Sequence, residues 1–323
     1  PKISLTVDKI NDLKKINKII KISGRDYPSL AKIIQIYKKN FNEVSLNYIS
    51  NLITKQKNNV NFRLKKDNIK KLPVVAIVQA RMNSKRMPFK VLSDIAGKPM
   101  LLRVLERVSR SKLLDDIVVA TSYQKQDDEI AKLCKKYKFK IFRGHPYDVL
   151  QRYYKAAKKY NAKIIVRITA DCPIVDWEII DQIINQFLKL PKSIGYGSNR
   201  LVRTYPIGTD VEIFSLENLM YANMNCRKYS FREHVTPFMY DRLSPLYLYS
   251  MSTKKLYKDI RLTVDTLKDL ELINIIYENM KDKNSFRWKD VINFLKKNKK
   301  LINMNKNIKQ TSYHRYDPEW NVK

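Results

Sequence analysis

The sequence predicts an α/β protein built on a mostly parallel sheet. From Pro73 to Met280, short β-branched runs alternate with stretches of helical periodicity, the pattern of βαβ units. The first run, Val74-Val75-Ala76-Ile77-Val78, is continuously apolar, as a strand covered on both faces must be. Hydrophobic residues make up 44% of the 323 residues, enough for a sizeable core.

The elements follow in order. Val74–Gln79 reads as the first strand, and Met100–Ser109 has helical spacing. Strands are then expected at Ile117–Thr121, Lys140–Phe142 and Lys163–Ile168. Helices are expected at Asp128–Tyr137, Asp148–Tyr160 and Trp177–Leu188. Beyond Ser198 the pattern loosens. Strands are expected there at Thr209–Phe214, Leu246–Met251 and Arg261–Val264, and helices at Phe231–Arg242 and Leu267–Met280. Two basic flanks complete the chain, an N-terminal segment over 1–72 and a C-terminal helix and tail over 281–323.

The N-terminal flank repeats part of the body. Ile3-Ser4-Leu5-Thr6-Val7-Asp8 resembles Ile260-Arg261-Leu262-Thr263-Val264-Asp265, and Asp12-Leu13 follows as Asp269-Leu270 does. Two copies of a tail around one body suggest the end of an upstream copy in a longer tandem chain; a homo-oligomer is the other assembly expected. A natural start codon just before residue 1 would sink the tandem expectation.

Charge and cysteines exclude several classes. The chain carries 64 Lys and Arg against 31 Asp and Glu, a net charge of +33. The excess is spread as single lysines on amphipathic segments, which marks a solvated face. No zinc-finger or RNP-like motif accompanies it, so no specific nucleic-acid partner is expected. Three scattered cysteines, Cys134, Cys172 and Cys226, fit a reducing cytoplasm rather than a disulfide framework. No run approaches the roughly 18 apolar residues of a membrane span. Six glycines without Gly-x-Gly-x-x-Gly argue against a dinucleotide oxidoreductase.

Three motifs lie at predicted strand ends, where open α/β sheets bind ligands. The loop Ala80-Arg81-Met82-Asn83-Ser84-Lys85-Arg86-Met87-Pro88-Phe89-Lys90 holds four cations in ten residues. Arg offers bidentate phosphate contacts and Lys a point charge, as a triphosphate requires. Thr169-Ala170-Asp171-Cys172-Pro173 places a carboxylate after another strand, suited to magnesium or to capping a turn. Arg261-Leu262-Thr263-Val264-Asp265-Thr266 offers a second carboxylate, either a metal ligand or a helix cap.

Taken in order with Arg232-Glu233-His234-Val235-Thr236-Pro237, these motifs resemble the spore-coat-polysaccharide (SpsF-like) branch of the cytidylyltransferase family. That branch is related to the enzymes making CMP-linked deoxy-octulosonate and acylneuraminate. The resemblance spans roughly residues 73–280. It implies a GT-A-like nucleotide-diphospho-sugar transferase fold, with a mainly parallel mixed sheet and helices on both faces. It implies that Arg81, Ser84, Arg86 and Lys90 cradle the triphosphate, with Ala80 and Thr169 beside it. Arg81, Arg86, Lys90 and Asp171 would carry the catalysis, and Asp171 and Asp265 would bind magnesium. Asn199, Tyr205, Asp210, Arg232, Glu233 and His234 would line the acceptor pocket. Asp148 also matches, but capping the following helix is the better reading. The family carries Gly where Asn83 and Phe89 stand. Asn tolerates positive φ, whereas bulky Phe89 resists it and is expected to disturb the loop.

The implied reaction is in-line attack by a sugar or sugar-acid hydroxyl on the α-phosphorus of CTP or another NTP, with release of pyrophosphate. It would serve cell-surface polysaccharide synthesis. A glycosyltransferase of the same fold is the first competitor, though Asp171-Cys172-Pro173 lacks the second Asp of Asp-x-Asp. An inactive partner domain, disabled at Phe89, is the second.

Overall fold

Val74–Gln79 forms strand β1, and its side chains alternate between two cores. Val74, Ala76 and Val78 enter one, Val75 and Ile77 the other, all at 1% exposure or less. Every residue of this strand is apolar up to Val78 because neither face meets water. The computed structural model describes residues 72–84, 86–190, 194–241, 244 and 246–308. The chain divides into Pro1–Lys71 and Leu72–Lys323. The N-terminal segment with its repeat, Lys85 and the tail from 309 lie outside the described residues.

Strands β2 (Asp94–Ile95) and β3 (Lys98–Pro99) make a small antiparallel ribbon. The main sheet uses β1, β4 (Asp116–Ser122), β5 (Lys140–Gly144), β6 (Ile164–Thr169), β7 (Ile194–Ser198), β8 (Glu212–Ser215) and β9 (Tyr247–Ser250). Its order is β5-β4-β1-β6-β8-β7-β9. β1, β4, β5 and β6 run parallel, β8 opposes both β6 and β7, and β9 is parallel to β7. All strands except β8 therefore end on the same edge of the sheet.

Helices cover both faces. On one lie α1 (Met100–Val108), α2 (Asp128–Lys136), α4 (Trp177–Lys189), α8 (Leu267–Asn279) and α9 (Trp288–Lys297). On the other lie α3 (Val149–Lys159), α5 (Leu216–Asn225), α6 (Tyr229–His234) and α7 (Pro237–Tyr240). A short α10 (Lys299–Ile302) follows. Each buried Leu, Ile or Val contributes about 1.5–3 kcal/mol, so these two apolar layers are the main source of stability. Among the described residues no helix is long and apolar enough to cross a membrane.

The expected elements from Val74 to Leu188 are present, with ends shifted by a few residues. Four differences appear beyond them. Strand β7 escapes notice because Gly195 and Gly197 weaken strand propensity. Its glycines let Leu246 and Ile213 close on the backbone, where added Cβ atoms would lie 2.7 and 3.0 Å away. Helix α5 presents Met220, Tyr221 and Met224 to solvent, which blurs its amphipathic pattern. The expected helix Phe231–Arg242 is two helices, broken at Val235 and restarted by Pro237. Arg261–Val264 is not a strand; only a bridge from Ile207 to Arg261 remains. The C-terminal helix α9 is part of the body, since Trp288, Val291, Ile292 and Leu295 are buried in the first core.

Candidate active site

The loop after β1 is held from beneath by a buried carboxylate that sequence reasoning missed. Asp127, fully buried, accepts from Met82 N at 2.8 Å and from Ser122 N at 3.1 Å. Met82 O in turn accepts from Ser84 N at 3.0 Å and Phe89 N at 2.9 Å. These bonds curl the loop back on itself. Phe89 sits there with φ 61, the left-handed conformation that suits glycine, and its side chain is 59% exposed. Phe89 thus adopts the backbone it was expected to resist. The next residue still enters the site.

That residue, Lys90, is 8% exposed and is the hub of the site. Its Nζ donates to Asp171 Oδ2 at 2.9 Å, to Asp265 Oδ1 at 2.8 Å and to Val264 O at 2.9 Å. Arg86 reaches the same Asp265 Oδ1 at 2.8 Å. The two carboxylates meet because their segments are laced together. Val264 N donates to Asp171 O at 2.9 Å, and Thr263 Oγ1 to the same oxygen at 3.0 Å. Gly208, at φ 97, lets the Leu262–Thr263 backbone pass close by; a Cβ would lie 2.5 Å from it. Asp265 is not the cap of α8: Thr266 and Asp269 form that capping box. Instead Arg261 donates to Asp265 Oδ2 at 2.6 Å and to Asp269 Oδ1 at 2.9 Å.

Charge balance follows from this geometry. Burial alone would raise the Asp171 carboxyl, but Lys90 and the Thr169 hydroxyl outweigh it and hold it at about 2. Burial alone would lower the Lys90 amine, but Asp171 and Asp265 hold it above its usual value. Both groups are therefore ionised across the neutral range.

The donor set suits magnesium, which prefers one or two carboxylates completed by phosphate oxygens and water. Asp171 is the more open of the two carboxylates. Its side chain is 27% exposed, and Oδ1 also receives a weak contact from Cys172 Sγ at 3.6 Å. Asp265 is more enclosed, with Lys90, Arg86 and Arg261 against it, and needs two of those cations to turn elsewhere.

The residues expected to line the acceptor pocket are partly exposed and partly braced. Glu233 reaches across to Arg81 Nη2 at 3.0 Å. His234 stands exposed beside it. Desolvation first, then the cations Arg167, Arg81 and Arg200, keep its imidazole below the usual value. Arg232 does not face the cleft. It donates to Asp148 Oδ2 at 2.8 and 3.0 Å and to the carbonyls of Asn223 and Cys226 at 3.0 and 2.9 Å. Asp148 also caps α3 through Gln151 N at 3.0 Å. Asn199 is fully buried and ties Thr209 O to Val211 N, at 2.8 and 2.9 Å. Tyr205 is 4% exposed and packs on Trp288. Asp210 is paired with Arg203. Each of these four is engaged by other residues of the protein.

Behind the wall lies a network with no sequence signature. Glu212, 2% exposed, is paired with Arg167 and accepts from Arg200 at 3.2 Å, Tyr196 at 2.7 Å and Thr236 at 2.5 Å. Arg167 continues to Gln79 Oε1 at 2.9 Å, at the end of β1. Burial would raise the Glu212 carboxyl, but Arg167 and Arg200 overcome it and hold it at about 2. Val235, fully buried, takes φ 70 and ψ −60, with Thr236 N donating to His234 O at 2.9 Å. That is a strained γ-turn for a β-branched residue. It turns Thr236 to the network while leaving Glu233 and His234 at the cleft. A cavity of about 330 Å³ is lined by Tyr205, Tyr257, Arg287 and Trp288. Lys90, Asp171 and Asp265 lie outside that cavity.

Residues 75–306 match the sequence profile of a family described as Cytidylyltransferase. The spore coat polysaccharide biosynthesis protein SpsF of Bacillus subtilis is 28% identical over 232 residues, covering 70% of this chain and 95% of SpsF. A 3-deoxy-manno-octulosonate cytidylyltransferase of Geobacter sulfurreducens is 36% identical over 121 residues, 36% of this chain and 46% of that protein. A solved cytidylyltransferase structure from Leptospira borgpetersenii superposes with a TM-score of 0.69 at 33% identity, over 75% of this chain and all of that one.

Proposed function

The chain belongs to the cytidylyltransferase family, and from that premise we propose that it moves a cytidylyl group from CTP to a sugar-acid hydroxyl in the cytoplasm, with magnesium. The observation that carries the reading is the Lys90 amine, held between Asp171 and Asp265 at the mouth of a basic loop. The acceptor class draws on SpsF and the octulosonate enzyme, whose names place them in polysaccharide and sugar-acid chemistry.

The acceptor hydroxyl attacks the α-phosphorus in line, forming the new P–O bond as the bond to pyrophosphate breaks. Such transfers depend on positioning and charge neutralisation. Arg81, Arg86 and Lys90 would bind the β- and γ-phosphates and stabilise charge building on the leaving pyrophosphate. Asp171 and Asp265 would hold magnesium, which neutralises charge at the α-phosphate when bound. Glu233 and His234 would orient the acceptor. The glycosyltransferase alternative is disfavoured by Cys172 and Pro173, which supply no second carboxylate. The inactive-partner alternative is disfavoured by Lys90, which reaches both aspartates despite Phe89.

The test is pyrophosphate release by the full chain with magnesium, across four NTPs and a panel of sugar acids. CTP with one sugar acid should release pyrophosphate, and Asp171→Asn should lower the rate about 10²–10³-fold. An undiminished rate in Asp171→Asn would remove the assigned role.

A further inference from the structure

We infer that Glu233 is released by the nucleotide: it holds Arg81 while the nucleotide is absent, yields it to the triphosphate, and only then is free for the acceptor. The inference rests on the nucleotidyl-transfer reading and adds a competition within that site.

Three observations carry it. First, each described cation of the loop is engaged by a carboxylate from outside the loop. Arg81 is on Glu233, Arg86 on Asp265, and Lys90 on Asp171 and Asp265. A triphosphate seeking these cations must displace carboxylates from all three. Second, the carboxylates differ in what remains to them. Asp265 keeps Arg261 on its second oxygen, and Asp171 keeps the Thr169 hydroxyl. Glu233 has Arg81 as its one ion-pair partner among the described residues, so losing it leaves an unpaired carboxylate on the acceptor wall. Third, the pair is open to exchange while its base is fixed. The Arg81 and Glu233 side chains are 42% and 29% exposed, and such pairs are weak. Yet Arg232 is pinned to Asp148, Asn223 and Cys226, and Thr236 to buried Glu212. Glu233 therefore swings as a side chain and stays at the cleft.

A several-fold-charged triphosphate attracts Arg81 more than one carboxylate does, and a carboxylate beside it repels it. Removing the Glu233 charge should therefore tighten nucleotide binding, the reverse of damaging a binding site. The experiment titrates CTP into the full chain by calorimetry, without acceptor. Glu233→Gln should bind CTP about three- to tenfold more tightly than wild type. Glu233→Asp, which keeps the charge, should bind as wild type does. On an Arg81→Ala background the gain should vanish, because nothing is left to release. Unchanged or weaker binding by Glu233→Gln overturns the inference alone, as does a gain that survives Arg81→Ala. No CTP binding by wild type overturns the nucleotidyl-transfer reading and this inference with it.

Discussion

The two walls of the site hold their cations in opposite ways. On the loop side, Arg81 and Arg86 are 42% and 38% exposed at the side chain, although Lys90 between the aspartates is buried. On the acceptor side, Arg167 and Glu212 are 7% and 2% exposed, and Glu212 is satisfied by four donors. Exposed pairs are worth about 0–1 kcal/mol and exchange readily. Breaking a buried pair strands a charge and costs several kcal/mol. The Arg81–Glu233 pair is open to a change of partner and the Arg167–Glu212 pair keeps its shape, a division that suits the proposed transfer.

The largest effect should come from breaking the permanent side. Glu212→Gln leaves Arg167 buried without its counter-charge and should destabilise the fold by about 3–5 kcal/mol, read as a lower urea midpoint. A midpoint equal to wild type would erase the contrast between the walls. Asp171→Asn is the counterpart on the exchangeable side. It should lose about 10²–10³ in rate while its melting temperature stays near wild type, because Lys90 keeps Asp265.

Acid sharpens the same comparison. Glu212 lies at about 2 against a usual 4.5, so the folded state holds its proton less well than the unfolded chain. Its contribution is complete above about pH 4.5 and is lost as the pH falls toward 2. Asp171 acts in the same direction between its usual 3.8 and about 2. Circular-dichroism melts from pH 6 to 3 should show the loss begin near pH 4.5 in wild type and be smaller in Glu212→Gln, where the Asp171 part remains.

The smallest effect concerns Phe89. Its positive φ is strained, and its exposed ring gains little from packing. Phe89→Gly should stabilise the chain by up to about 1 kcal/mol. A lower melting temperature would mean that the ring contributes more than its exposure suggests.

The exchangeable wall was also the legible one. Its groups sit at strand ends marked by an apolar run, as at Gln79 and Thr169, and strand ends converge on one edge by topology. That logic brought Asp171 and Asp265 to one place, though not that Lys90 would bridge them or that Asp265 would be shared with Arg86 and Arg261. The permanent wall was illegible for a physical reason. Glu212, Arg167, Tyr196 and Thr236 belong to different elements, and no spacing joins them until β8 reverses between β6 and β7. Asn199, Tyr205 and Arg232 carry the residue types of a binding pocket, and the bonds and ring contact that also brace them within the protein had no sequence signature. Val235 reads as an ordinary helical residue, and only its backbone reveals the turn that divides α6 from α7.

A crystal structure with CTP and magnesium tests the account most directly. The account predicts Arg81, Arg86 and Lys90 on the phosphates, the Arg81–Glu233 pair broken, and the Arg167–Glu212 pair unmoved. Phosphates bound elsewhere, with Arg81 still on Glu233 and Lys90 still between the aspartates, would contradict it.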